Sequence, residues 1–295
     1  MNKPNFFIVG APKCGTTAMN DYLMQHPDVF MAPKELHFFG TDLKLKNKIK
    51  EHDYLSYFQN SGNKKVIGEA SVWYLFSKNA AREIKNFSPD ARILIMLRNP
   101  VEVIHSLHSQ HLYDGNEDVT DFEKALNLDD ARKKGMELAD SIDFSETPAY
   151  RDSVLFSEQV KRYMEVFNKK NVHIILFEDF KNCTKKIMLE TLQFLEVNPD
   201  IHIEYDVVNP NRQIRSFYLH RLIKKPSRIY KKITRTIIPF KKMRHILMKT
   251  LFKSNIKISQ RKKLSPQLDA KLKASFSTDI LALSKIINRD LSSWL

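Results

Sequence analysis

Three short stretches of this 295-residue chain place reactive side chains at spacings that suit the transfer of an anionic group. The first is Gly10-Ala11-Pro12-Lys13-Cys14-Gly15-Thr16-Thr17, directly behind the apolar run Phe6-Phe7-Ile8-Val9. A strand that breaks at glycine and restarts as a helix leaves several N–H groups without intrahelical partners. Those groups, with the positive end of the helix dipole, cradle an anion. Four residues separate the two glycines, which is the length of a nucleotide-binding P-loop. An ordinary P-loop carries Lys and then Ser or Thr after its second glycine; here Gly15 is followed by Thr16 and Thr17, and the lysine stands earlier, at Lys13. Lys13 can reach an anion lying in the cradle, while Thr16 and Thr17 offer N–H and hydroxyl donors. The second stretch is Arg98-Asn99-Pro100, with Ser106 eight residues beyond the arginine. A fixed cation and a hydroxyl two turns into the following helix suit a second phosphate, separate from the first. The third is Lys34-Glu35-Leu36-His37-Phe38-Phe39, where a carboxylate and a histidine two residues apart can take a proton from an acceptor.

Elements of regular period must hold these groups. Apolar, β-branched or aromatic runs at 6–9, 29–31, 65–67, 92–97 and 172–177 read as strands buried on both faces of a parallel sheet. Helical patterns lie between them: 17–25, ending before His26-Pro27; 77–87, with Ser77 as N-cap; and one opening at the capping box Thr120-Asp121-Phe122-Glu123. Val160, Tyr163, Met164 and Phe167 mark one buried helix face. The alternation predicts an α/β, P-loop-like three-layer fold, with a central parallel sheet of about five strands flanked by helices. Ligands in such sheets bind beyond the carboxyl ends of the strands, where both the first loop and Arg98 fall. The polar stretch 113–149 reads as an insertion or lid. A single domain over 1–295 is expected, with a basic helical segment at about 212–263 and a closing helix at about 265–289.

An apolar content of 42% and a mean hydropathy of -0.40 are those of a globular chain rather than a disordered or membrane-spanning one. The net charge of +14 is concentrated: residues 212–263 hold 18 of the 48 Lys and Arg and none of the 34 Asp and Glu. The rest of the chain is therefore slightly acidic. The basic segment has three readings: a solvated helical face, a surface that attracts a polyanionic acceptor, or one that lies against anionic lipid. A nucleic-acid partner has no recognition motif to support it. Two distant cysteines, Cys14 and Cys183, argue against a disulfide framework. With a first strand that starts too early for a signal peptide, they point to the cytoplasm, peripheral at a membrane where the basic segment meets lipid. His105, His108 and His111 recur every three residues but drift around a helix, so acceptor contact or solvent exposure is expected rather than a metal. Cys14 falls at a helix start, which could lower its thiol pKa, but the role expected of it is that of a small loop residue, sensitive to thiol reagents.

Together these stretches resemble the sulfotransferase family that uses 3′-phosphoadenosine-5′-phosphosulfate (PAPS), in particular its glycosaminoglycan (heparan sulfate)-type carbohydrate branch. Phe6 to Thr17 resembles the 5′-phosphosulfate loop, Leu97-Arg98-Asn99-Pro100 with Ser106 the 3′-phosphate site, and Lys34 to Phe39 the acceptor-side motif. Looser similarity runs through Gly68 to Tyr74, Glu158 to Tyr163, Phe177 to Phe180, Asn209 to Arg212 and Arg289 to Trp294. The resemblance implies that Lys13 stabilises the transferring sulfuryl group and that Cys14, Gly15, Thr16 and Thr17 line the 5′-phosphate site. It implies further that Arg98 and Ser106 bind the 3′-phosphate, that Glu35 is the general base with His37 beside it, and that Arg212 belongs to a late cofactor-covering loop. No metal is implied. Leu36 and Val72 stand where proline is expected, Gly40 where sugar-modifying relatives carry aspartate, and Ala70 in place of a lysine. These departures leave the donor site intact and bear on the acceptor, for which a carbohydrate hydroxyl is expected, with a lipid or small-molecule alcohol as the alternative. A P-loop kinase or NTPase, and a protein whose function is to bind polyanions or membranes, are the rival readings.

Overall fold

Each apolar run becomes a strand of one sheet, because a chain segment with no polar face can be buried only between two layers. In a computed structural model, which describes residues 2–43, 48–134, 136, 149–205, 212–224, 236, 240–258, 261 and 263–295, the elements follow in order. They are β1 (Phe6–Gly10), α1 (Thr16–Leu23), β2 (Val29–Met31), α2 (Glu51–Ser56), β3 (Val66–Ala70), α3 (Ala80–Phe87) and β4 (Arg92–Leu97). Then come α4 (Pro100–Asp114), α5 (Phe122–Asn127), α6 (Asp129–Lys133), α7 (Phe156–Val166), β5 (Val172–Leu176), α8 (Phe177–Asn182) and α9 (Thr184–Phe194). The strand order is β2-β3-β1-β4-β5, every pair parallel, with Ile8 beside Ala70 on one side and Leu94 on the other. β1 is central and fully buried, and the order reverses on either side of it. The crevice at its carboxyl end is thus the switch point where this class of sheet binds ligands.

Several boundaries differ from the sequence pattern for identifiable reasons. β3 runs on through Gly68, Glu69 and Ala70, although Glu69 ends the apolar run, because buried hydroxyls satisfy its carboxylate. α3 starts at Ala80, yet Ser77 still caps it from outside, its Oγ accepting from the N–H groups of Asn79 (3.1 Å) and Ala80 (3.0 Å). The expected Thr120 cap is displaced by Asp121, whose carboxylate accepts from the Lys124 N–H at 2.8 Å. The closing helix is Pro266–Ile287, with Ser265 accepting from the Leu268 N–H, and it buries Leu272, Phe276, Ile280 and Leu283 along one stripe.

In the basic segment, helices at Phe217–Lys224 and Lys241–Ser254 agree with its amphipathic pattern. A two-stranded antiparallel ribbon was not anticipated: Arg212–Ile214 pairs with Ile256–Ile258. Arg212–Ile214 and Ile256–Ile258 stand among charged residues without a continuous apolar run, and their pairing is non-local. The residues at 206–211, 225–235, 237–239, 259–260 and 262 lie outside the described residues, as does most of the 113–149 stretch beyond 134.

Candidate active site

The loop after β1 is shaped by its glycines. Gly15 adopts φ 89° at the N-cap of α1, a left-handed conformation, and a Cβ there would press on Phe177 at 3.1 Å. Gly10 is packed so closely that a Cβ would meet the Val72 carbonyl oxygen at 2.8 Å. Lys13 is itself left-handed, at φ 64°, which turns its side chain out of the loop to donate to Gln110 Oε1 on α4 at 3.0 Å. Cys14 faces inward: its Sγ donates to the Pro12 carbonyl, and burial pushes the thiol pKa up rather than down. The expected low pKa and thiol-reagent sensitivity are therefore wrong, because desolvation outweighs the helix dipole. Only the backbone of Cys14 can serve an anion.

Arg98 leaves the end of β4 as the sequence predicts, and Asn99 caps α4 by accepting from the Val101 N–H. Its guanidinium is held by Glu102 (2.7 Å from Nε, 2.5 Å from Nη2), lies 4.4 Å from the Phe177 ring centroid, and touches the Lys13 carbonyl at 3.4 Å. Ser106 lies two turns into α4 and is buried. The Arg212 backbone starts the two-stranded ribbon, but its side chain lies outside what is described. A cation the sequence did not single out joins the site instead. Arg261 lies close enough to Lys13 that, after burial, it is the largest influence lowering the lysine's pKa, with Arg98 adding to the effect and Asp114 opposing it. Arg261 is in turn lowered by burial and by Arg98. Arg98 and Arg261 thus add positive charge beside Lys13, and such clustering of cations favours an anionic ligand.

The acceptor-side motif follows β2. Glu35 and His37 both have positive φ, 63° and 50°, and this brings Glu35 Oε2 to 3.2 Å from His37 Nε2. The same carboxylate oxygen accepts from the Val72 N–H at 3.2 Å, and the side chain stays 38% exposed, open to an incoming group. Lys34, unassigned by the sequence, links this pair to the first loop. Its Nζ donates to Thr16 Oγ1 (3.2 Å) and Thr17 Oγ1 (3.1 Å) and lies 4.0 Å from Glu35 Oε1. Burial lowers its pKa, against the raising effects of Glu35 and Asp21.

Of the α4 histidines, His105 is partly exposed and the other two are not. His108 and His111 are buried against Phe122 and Tyr150. That neighbourhood is pinned by Glu117, which takes both Arg132 nitrogens at 2.7 and 2.8 Å and the Tyr150 hydroxyl at 2.8 Å. The described part of the insertion is thus anchored on α4. Among the described residues, no three His, Cys, Asp or Glu side chains group as metal ligands. Burial lowers His111 to about 4, with His108, Arg132 and Lys13 reinforcing it and Glu117 opposing. From the unfolded value of 6.5 down to about 4, the unfolded chain then binds the extra proton. Unfolding free energy is therefore expected to fall on acidification through that window, by about 1 kcal/mol per pH unit from this residue. Chemical denaturation at stepped pH checks this, and His111→Phe should flatten the slope.

A cradle at the switch point, a second cationic pocket beside it and a carboxylate–histidine pair one lysine away define a transferase that moves an anionic group off a nucleotide. Similarity identifies which. Residues 3–281 match the Sulfotransferase domain, and the chain belongs to that family, whose sulfuryl donor is PAPS. It is 28% identical over 257 residues to human carbohydrate sulfotransferase 15, covering 66% of this chain and 44% of that protein. It therefore spans less than half the length of that relative. Human heparan sulfate glucosamine 3-O-sulfotransferase 6 is 32% identical over 109 residues, 37% of this chain and 31% of that protein. A sulfotransferase structure from Alicyclobacillus acidocaldarius superposes with a TM-score of 0.74 at 28% identity, covering 100% of this chain and 99% of the other. The chain is thus a member of the sulfotransferase family and has its P-loop-like fold.

Proposed function

We propose that this sulfotransferase moves the sulfuryl group of PAPS to a carbohydrate hydroxyl, with Glu35 as general base and Lys13 stabilising the group in transit. The observation that carries the reading is Lys34, whose ammonium touches both threonines of the phosphate loop and lies beside Glu35. Donor side and acceptor side are thus one side chain apart. The residues fit the donor: the Gly15–Thr17 amides and Lys13 face the 5′ end, while Arg98, Arg261 and Ser106 supply the separate pocket that a 3′-phosphate needs. In the reaction the acceptor O–H gives its proton to a Glu35 oxygen as its oxygen bonds to sulfur. The bond from sulfur to the 5′-phosphate oxygen breaks, and the charge left there falls to Lys13 and the loop amides. The names of the carbohydrate and heparan sulfate relatives support a glycan as acceptor; a lipid or small-molecule alcohol is the second class to screen.

Two measurements test this. Calorimetry with adenosine 3′,5′-bisphosphate against magnesium ATP decides the donor, and tighter binding of ATP overturns it. Labelled PAPS offered with desulfated chondroitin, heparosan, sterols and simple alcohols decides the acceptor. Arg261→Gln is expected to weaken adenosine 3′,5′-bisphosphate by about 10- to 100-fold, the range for a charged hydrogen bond. Removing that cation also raises the Lys13 pKa, so the alkaline loss of binding should move to higher pH in titrations of the variant.

The basic segment fits the capture of a polyanionic glycan. Its helix at Lys241–Ser254 exposes Lys242, Lys249 and Lys253, with Met243, Ile246 and Leu247 between them. Lys242→Glu combined with Lys249→Glu should raise the KM for an anionic glycan and flatten its salt dependence, with the KM for PAPS unchanged. Loss of binding to anionic vesicles without any change in KM assigns the face to lipid instead.

A further inference from the structure

Glu69 lies on β3 beneath the acceptor-side motif, fully buried, and it is a carboxylate for which neither the donor site nor the proton transfer has a use. Its oxygens accept three hydroxyl hydrogen bonds: Tyr54 on Oε2 at 2.5 Å, and Ser71 and Tyr74 on Oε1, each at 2.7 Å. Two of those hydroxyls accept in turn from the loop that carries the base. Ser71 Oγ takes the His37 N–H at 3.1 Å; Tyr74 Oη takes the Phe38 N–H at 2.8 Å and the Phe39 N–H at 3.2 Å. Three consecutive backbone amides therefore end, through two hydroxyls, on one carboxylate oxygen. The fourth amide, Gly40, donates directly to Glu83 at 2.6 Å.

Such a fixture answers a specific need. Glu35 and His37 are non-glycine residues in the left-handed region. Each such residue costs on the order of 1 kcal/mol and persists only where its surroundings over-determine it. Burial raises the Glu69 pKa and the three donated hydroxyl bonds oppose that rise; a hydroxyl that donates to such a carboxyl oxygen becomes a stronger acceptor for the amides behind it. With His37 so held, its ring stays within 3.2 Å of the Glu35 carboxylate. We propose that Glu69 is a positioning residue, whose carboxylate fixes the 37–39 backbone through Ser71 and Tyr74 and thereby aims Glu35 and His37 at the acceptor hydroxyl. The inference rests on the reading of Glu35 as base.

The test is Glu69→Gln in the full chain, followed by residue-resolved amide hydrogen exchange, calorimetry with adenosine 3′,5′-bisphosphate, and turnover of desulfated chondroitin with labelled PAPS. Exchange at 37, 38 and 39 should quicken by about tenfold or more. kcat per nucleotide-binding site should fall by about 10²-fold, the cost of a displacement near 1 Å. Nucleotide affinity and acceptor KM should stay within about twofold of the parent. Two further variants separate the arms and serve if Glu69→Gln does not fold. Ser71→Ala should quicken exchange at 37 alone, and Tyr74→Phe at 38 and 39 alone. General destabilisation would quicken all three in every variant. Unchanged exchange at 37–39, or an unchanged kcat per site, overturns the proposal. Glu35→Gln keeps the two readings apart: if it stays fully active the base assignment fails, whereas the exchange pattern, which needs no acceptor, still decides Glu69.

Discussion

Lys13→Ala is expected to lower turnover by about 10²- to 10³-fold, some 3–4 kcal/mol of transition-state stabilisation, without lowering the melting temperature. The two halves of this expectation share one cause. The Lys13 ammonium is buried beside Arg261 and Arg98, and all three effects lower its pKa, so the folded protein holds it charged at a cost. One hydrogen bond, to Gln110, offsets part of that cost. Removing the amine relieves repulsion, and Gln110 keeps its donation to Asp114 at 2.8 Å. On the proposed reading, negative charge grows on the 5′-phosphate oxygen as the sulfuryl group leaves, and Lys13 would meet it there. Affinity for adenosine 3′,5′-bisphosphate should therefore fall by only about tenfold, much less than kcat/KM, since ground-state binding shares the task with Arg98 and the loop amides. Steady-state kinetics, calorimetry and thermal melts on one preparation check all three numbers. Equal losses in nucleotide affinity and turnover would mean that Lys13 grips the nucleotide and does nothing particular for the transfer. Lys13→Arg is no rescue, because a longer planar cation cannot take the left-handed, outward-turned course of this side chain to the same point.

What could be read in the sequence is what is local to it. The loop from Gly10 to Thr17, the Arg98-Asn99-Pro100 turn and the Glu35–His37 spacing each lie within one strand end and the segment that follows. Strand pattern and glycine placement therefore suffice to bring them to one edge of the sheet. The five strands were legible for the same reason, as each is mostly apolar along its length. Arg261 was hidden because it lies among many bases at the far end of the chain, and nothing in that run sets one apart; only tertiary folding brings it beside Lys13. Lys34 was in plain view, but its contact with Thr16 and Thr17 exists only because the chain after β2 crosses back to the start of α1. Cys14, His108 and His111 were misjudged in one direction. Local position predicts exposure or activation, whereas burial is decided by what packs around the group, here the inward turn of the loop at Cys14 and the Phe122 and Tyr150 rings against the histidines. Glu69 ended an apolar run and so shortened the predicted strand, although three hydroxyls from elsewhere make a buried carboxylate tolerable there.

Glu35→Gln is expected to reduce turnover by about 10²- to 10⁴-fold, the range for loss of a general base, while nucleotide affinity stays within about twofold. Glutamine is close in shape to glutamate, and its carbonyl oxygen can still accept from the Val72 N–H and lie against His37 Nε2, so the left-handed turn keeps its contacts. The loss is confined to the ability to take a proton. Nothing in the nucleotide cradle touches Glu35 directly; the connection runs through Lys34, whose bonds to Thr16 and Thr17 do not need the carboxylate. Lys34 does lose the neighbour that most raises its pKa, so the variant's nucleotide binding should weaken at lower pH than the parent's as the ammonium deprotonates. His37→Ala supplies the contrast. If the imidazole orients the carboxylate and the acceptor, its removal should cost about tenfold in kcat and raise acceptor KM. If it is itself the base, its removal should cost about 10²- to 10⁴-fold, and Glu35→Gln should keep near-parental turnover. The proposed assignment to the carboxylate rests on a steric difference: Glu35 is 38% exposed and His37 15%, so an acceptor hydroxyl would reach the carboxylate oxygen first. The imidazole behind it is then placed to steady the carboxylate as the proton arrives.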